Sequence, residues 1–247
     1  MGPLFSLKNQ TAWITGGKRI GKKVAEVLAE NGANLVISYK DSRQEAEDTF
    51  KKVKKLGIKA LLLEVDVSDK ISVENALEKI KKTFKKIDVL VLLASIFEQK
   101  EFASLNEDDF RKNFDVHVLG TFLPIKCCLN LMPKGSHIIT ISESETASTK
   151  YVRYVPYFVA KGAILYLTKA LASEFGSKGI FINTVTPGPI LKPEGMKNED
   201  WLKIRKESIV DFPVDDDRAV EEFAKLVLYL STTNSTGGVY PLDMGQM

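Results

Sequence analysis

Seven short apolar runs alternate with amphipathic stretches of helical period, and this alternation predicts an α/β protein: a Rossmann-type doubly wound parallel sheet of about seven strands with helices on both faces. The runs lie at 11–15, 33–39, 59–65, 87–93, 136–142, 179–185 and 238–242. A glycine-bearing turn directly after the first run is the second observation behind this reading. The third is the lack of any linker, repeat or low-complexity tract, so one domain is expected over residues 1–247. With 247 residues, 44% of them hydrophobic, the chain can bury a large core.

The first strand, Ala12-Trp13-Ile14, feeds Thr15-Gly16-Gly17-Lys18-Arg19-Ile20-Gly21, and Val24, Ala25, Val27 and Leu28 follow at helical spacing. A strand, a glycine turn and a helix in that order aim backbone N–H groups and a positive helix end at one point, which suits a phosphate. Glycines that serve only a tight turn are the other reading. The second strand completes the βαβ unit that a dinucleotide site requires. It ends Ile37-Ser38-Tyr39-Lys40-Asp41, so the first charged residue after it is basic. A carboxylate there would accept from a ribose 2′-hydroxyl and repel a 2′-phosphate, whereas Lys40, with Lys18 and Arg19 nearby, favours the phosphate. NADP is therefore expected in preference to NAD, unless the strand runs two residues further and brings Asp41 into that place.

The third strand closes at Val65-Asp66-Val67 and the fourth at Leu92-Leu93-Ala94-Ser95. A helical stretch over 106–131 carries His117 and more apolar surface than one core face needs, in Phe110, Phe114, Leu119, Phe122 and Leu123. Its two adjacent cysteines, Cys127 and Cys128, point in different directions on a helix, and neither a disulfide nor a metal pair is expected. His117 and His137 lack the company of a zinc site, so no metal is expected. After the fifth strand and its Ser142, Glu143 and Ser144, a long helix opens on Tyr157. From Pro187 to about Pro213 the chain is irregular, apart from a helical 200–209. A flap over a site at about 190–213 suits that stretch.

Lysines 51, 52, 54 and 55, and again 81, 82, 85 and 86, alternate with apolar residues as solvated helix faces do. The net charge is only +3 and no aromatic residues interleave with them, so nucleic-acid binding is not expected. No apolar run reaches the roughly 20 residues of a bilayer span, and no signal-peptide pattern opens the chain, so a cytoplasmic protein that does not engage membranes is expected.

Tyr157 and Lys161 stand four residues apart and share a helix face. An ammonium beside a phenol favours the phenolate and lowers a pKa that is ordinarily about 10, fitting the phenol for proton transfer near neutrality. This pair, downstream of the glycine turn, resembles the short-chain dehydrogenase/reductase family, including its 3-oxoacyl-ACP-reductase-like and pteridine-reductase-like members. The likeness runs over nearly the whole chain. It departs from the family's TGxxxGxG by one residue fewer and by Arg19 where a glycine is usual, and from NNAG at Leu92-Leu93.

The resemblance implies hydride transfer between a nicotinamide cofactor and a small-molecule carbonyl or alcohol, with Tyr157 moving the proton. It implies that Lys161 anchors the nicotinamide ribose and lowers the Tyr157 pKa. A serine should polarise the substrate oxygen; Ser144, thirteen residues before Tyr157, is preferred, Ser142 comes second, and a gapless reading gives Glu143. His117 stands where the family has a relay asparagine, with a packed histidine as the alternative. The cofactor would meet the glycine turn from Thr15 to Gly21, Tyr39 and Lys40, Asp66 and Val67 near the adenine, Ala94 and Ser95, and Pro187, Gly188 and Ile190 at the carboxamide. Phe97, Tyr151, Tyr154, Leu191, Met196 and Trp201 are the expected substrate walls, and Phe97 could stack on a flat ring. The family assembles through two helices, here about 106–131 and 157–175, so a homotetramer or homodimer follows. The departures also allow a second reading, a cofactor-binding regulatory or scaffold protein with eroded catalysis.

Overall fold

Buried β-branched and aliphatic runs form the centre of the molecule because the central strands of the sheet are covered on both faces. The structure, a computed structural model, describes residues 5–144, 152–206 and 216–243. In chain order it contains β1 (Thr11–Thr15), α1 (Ile20–Glu30), β2 (Asn34–Tyr39), α2 (Arg43–Lys54), β3 (Ala60–Glu64), α3 (Lys70–Phe84) and β4 (Val89–Leu92). There follow α4 (Glu107–Phe114), a π-helical turn (Asp115–Leu119), α5 (Gly120–Cys128), β5 (His137–Ile141), α6 (Val155–Phe175), β6 (Phe181–Pro187), α7 (Asn198–Lys206), α8 (Asp216–Leu230) and β7 (Val239–Leu242). All seven expected strands are present, each within three residues of its predicted bounds.

They form one parallel sheet in the order β3-β2-β1-β4-β5-β6-β7. Alternation along each strand divides the core in two. Ile14, Ile37, Val91 and Ile139 pack with Val24 and Leu28 of α1 and Phe223 and Val227 of α8. Trp13, Val36, Leu90 and Ile138 pack on the other face with Val73 and Ile80 of α3 and Ile125 of α5. The chain leaves β3 at one edge and re-enters beside β1 as β4, so the strand order reverses there. Such a switch point opens a crevice beyond the carboxyl ends of β1 and β4.

Glu107–Leu131 makes one helical stretch of 25 residues that contains an 18-residue window of mean hydropathy 1.2, long and apolar enough by those measures alone to cross a membrane. The apolar-run expectation did not include this stretch because Lys112, Asp115 and Lys126 interrupt it. It packs against α3 and α6 in the domain.

Candidate active site

The crevice is a cleft of about 1200 Å³ walled by the glycine turn, the ends of β2, β3, β4 and β5, α6 and the segment after β6. At its upper end the turn is shaped by backbone demands. Gly16 has φ +88°, and a side chain on Gly21 would put a Cβ 1.8 Å from the Gly16 carbonyl oxygen. Arg19 adopts φ 54° and caps α1 with no side-chain hydrogen bond, so no capping side chain occupies the positive end of that helix. Thr15 Oγ1 accepts from the Leu93 and Ala94 amides at 3.0 and 3.2 Å, tying the turn to the end of β4. That bond holds the two walls together although Leu92 and Leu93 lack an amide side chain.

β2 ends at Tyr39, which leaves Asp41 outside the strand. Lys40 reaches across to Asp66 at 2.6 Å, and Asp66 also accepts from the amide and hydroxyl of Ser68. These contacts hold the Asp66 carboxyl below its usual range against the opposing effect of burial, and raise the Lys40 ammonium. Lys18 pairs with Glu194 at 3.4 Å, and the Arg19 guanidinium donates to the Lys192 carbonyl, so both cations of the turn hold the segment after β6. Asp216, which the sequence reading did not single out, accepts from the Lys192 amide and the Trp201 indole.

At the floor, Tyr157 and Lys161 project from the first turns of α6, both buried. The Tyr157 hydroxyl donates to Glu143 Oε2 at 2.8 Å, and the Ser144 amide donates to Oε1 at 3.2 Å. Glu143, rather than the preferred Ser144, is therefore the cleft-lining residue that takes the phenol's hydrogen bond. The Ser142 hydroxyl is committed to the helix backbone, donating to the Lys161 carbonyl at 2.6 Å. The Lys161 ammonium donates to the Ile141 carbonyl at 3.0 Å and lies 5.7 Å from the centre of the Tyr157 ring. Burial pushes the Glu143 carboxyl up to about 7, against the opposing pull of Tyr157 and Lys161. Burial likewise pushes Lys161 down to about 8, against the attraction of Glu143.

His117 sits on the π turn, 1% exposed, its ring 5.3 Å from that of Tyr157. Its Nε2 meets Ser95 Oγ at 2.9 Å and the Ile96 amide at 3.3 Å, and its Nδ1 meets the Asn113 carbonyl at 2.9 Å. Burial and the charge of Lys161 push its imidazole down to about 3, so the ring is neutral at physiological pH. Phe97 stacks on Tyr154 at 4.0 Å and meets Tyr157 edge-on at 4.8 Å. Phe97, Leu191 and Trp201 line the cleft, and Phe97, Tyr154 and Met196 line an adjoining pocket of about 600 Å³. Tyr151 lies outside the described residues.

The comparisons with known proteins agree with this geometry. Residues 16–246 match the family model described as enoyl-(acyl carrier protein) reductase. An oxidoreductase of Bacillus subtilis is 32% identical over 235 residues, 93% of this chain and 81% of that protein. The chain belongs to the short-chain dehydrogenase/reductase family. Another relative is a versicolorin reductase of Emericella nidulans, 30% identical over 98% of this chain and 88% of that one. The blue fluorescent protein from a metagenomic library, solved with NADPH, superposes with a TM-score of 0.87 at 26% identity, covering 98% of this chain and 99% of that one. As a short-chain dehydrogenase/reductase the chain is an NAD(P)-dependent oxidoreductase acting on small molecules.

Proposed function

We propose that this short-chain dehydrogenase/reductase uses NADPH to reduce a carbonyl carbon, or a pterin-like ring, of a small molecule, working as one domain with residues 190–213, of which 207–213 lie outside the described residues, as its substrate flap. The observation that carries this reading is the buried group of Glu143, Tyr157 and Lys161 at the cleft floor. When bound, the nicotinamide supplies the hydride. The glycine turn would hold its phosphates, Asp66 and Val67 its adenine, and Pro187 to Ile190 its carboxamide. The tightness of that turn fits a pyrophosphate, since a Cβ at Gly21 would lie 1.8 Å from the Gly16 carbonyl oxygen and force the turn open.

Tyr157 gives its hydroxyl proton to the developing alkoxide, and the neighbouring Lys161 ammonium stabilises the phenolate left behind. Glu143 takes the place expected of Ser144. As a carboxylate it holds the Tyr157 proton for itself; once protonated it becomes a second donor and frees the phenol for the substrate. Reduction should therefore be fast below pH 7 and slow as pH rises through about 7, the value to which Glu143 is pushed. Glu143→Gln, a neutral donor at every pH, should flatten that limb of the kcat profile. An unchanged limb would remove Glu143 from the proton path.

NADPH oxidation against a panel of diketones, quinones, sugars and pterins tests the function itself. For the cofactor, Lys40 supports a preference for NADPH. Its bond to Asp66 joins groups 56% and 29% exposed, and an ion pair in such a setting is worth about 0–1 kcal/mol, so releasing Lys40 to a phosphate costs little. A charge-assisted contact to that phosphate is worth about 1.5–3 kcal/mol, hence a Kd for NADPH roughly ten- to hundredfold below that for NADH. Lys40→Ala should remove most of the difference. Equal affinities in the unmodified chain would contradict the preference.

Assembly as a homotetramer or homodimer is supported by apolar side chains on the outer faces of α4 to α6. Phe114, Leu119, Val155, Val159 and Tyr166 are 36–76% exposed. Light scattering at micromolar concentration should give a multiple of 27.5 kDa, and a mass of one chain would rule the assembly out.

A further inference from the structure

Ser95 is exposed in the cleft wall beyond the end of β4, and its hydroxyl has no part in the proton chemistry above. Its polarity can be worked out from the ring behind it. The Asn113 carbonyl can only accept, so His117 Nδ1 carries the ring proton. In a neutral imidazole the other nitrogen is then a lone pair, and the Ile96 N–H pointing at Nε2 requires the same assignment. Ser95 Oγ, 2.9 Å from that lone pair, must donate to it, the Ile96 carbonyl at 3.4 Å being the more distant acceptor. A hydroxyl has one proton. With that proton committed to His117, Ser95 faces the cleft with its oxygen lone pairs alone.

We propose that Ser95 is a specificity-determining residue, an acceptor for a hydroxyl or N–H group carried by the substrate beside its reacting carbon, and that His117 is the positioning residue that fixes this polarity. The site is at the substrate end because the segment from Ser95 to Phe97 borders the phenol: Phe97 and His117 each place a ring within 5.3 Å of the Tyr157 ring. A nucleophilic serine is not what this geometry builds, since the Nε2 lone pair is shared with the Ile96 amide and is a weakened base. The inference rests on the reading of the cleft as a site for a reducible small molecule, and it narrows that class to compounds with a donor next to the carbonyl.

Two measurements test it without turnover. Long-range ¹⁵N–¹H NMR of the chain, with His117 assigned against a His117→Asn variant, should show the neutral Nδ1–H tautomer. An Nε2–H tautomer would turn the Ser95 proton toward the cleft and overturn the proposal. Calorimetry on the chain saturated with NADP⁺ should show α-hydroxyacetophenone binding about tenfold tighter than α-methoxyacetophenone, the difference one neutral hydrogen bond makes. Ser95→Ala should abolish that preference, and Ser95→Thr should keep it. His117→Asn should weaken the preference with Ser95 intact. The proposal is overturned if the unmodified chain binds both ketones alike or neither, or if Ser95→Ala retains the preference. Failure of the underlying functional reading shows separately, as no NADPH oxidation with any carbonyl compound.

Discussion

Tyr157→Phe should lower kcat for NADPH-dependent reduction by about a thousandfold, within the 10²–10⁴ that a positioned acid–base group contributes, while the Kd for NADPH changes less than twofold. The split follows from what the substitution removes. A phenylalanine keeps the ring that packs against Phe97, His117 and Phe158, so the cleft wall stays in place. The hydroxyl alone is lost, and with it both the proton delivered to the substrate oxygen and the bond to Glu143. Glu143 keeps the Ser144 amide and, already pushed up to about 7, takes a proton more readily once the phenol is gone. The variant should therefore fold and bind cofactor but not turn over. Pre-steady-state and steady-state assays check this together with cofactor titration. Retention of a rate within tenfold of the unmodified chain would remove Tyr157 from the proton transfer.

Sequence-level reasoning located the strands because their signal is local: Ile14, Val36, Ile37, Leu90 and Val91 sit in runs short enough to be strands and apolar on both faces. The order of those strands, with β4 beside β1, is a matter of long crossovers that no window of residues contains. The same division runs through the site. Tyr157 and Lys161 were legible because their geometry is set by one helix turn. The choice among Ser142, Glu143 and Ser144 was not, because it depends on where the side-chain alternation of β5 ends. Beyond Ile141 the Ser142 hydroxyl bonds the Lys161 carbonyl, and the Glu143 carboxyl is the group that meets the Tyr157 hydroxyl. The Ser95 and His117 contact spans 22 residues and needs the π turn to bring the imidazole to β4; each residue was nameable, and their bond was not. Asp216 gave no local signal at all, since its partners Lys192 and Trp201 are brought to it by the segment after β6.

Gly21→Ala should abolish high-affinity cofactor binding, raising the Kd for NADPH more than a hundredfold, although it adds one methyl group. The new Cβ would sit 1.8 Å from the Gly16 carbonyl oxygen and 2.9 Å from its carbon, both backbone atoms with no flexible end to swing aside. Relief requires the carbonyl to move by more than an ångström. Gly16 is already at φ +88°, its amide bonded to the Ser38 carbonyl at 2.9 Å, and the Gly21 amide is bonded to the Lys18 carbonyl at 3.0 Å. The turn can therefore open only by breaking its own hydrogen bonds, and with them the convergence of amides on the phosphate site. Overpacking of this kind costs about 1–3 kcal/mol of stability as well, so the melting temperature should fall. Gly162, in α6, supplies the control, because a Cβ there meets nothing within 4 Å. Gly162→Ala should leave NADPH affinity unchanged and stabilise the fold by up to about 1 kcal/mol through helix propensity alone. If Gly21→Ala bound NADPH as the unmodified chain does, the glycine turn would not be the phosphate cradle; if both alanines weakened binding alike, the effect would belong to helix substitution in general and not to the contact with Gly16.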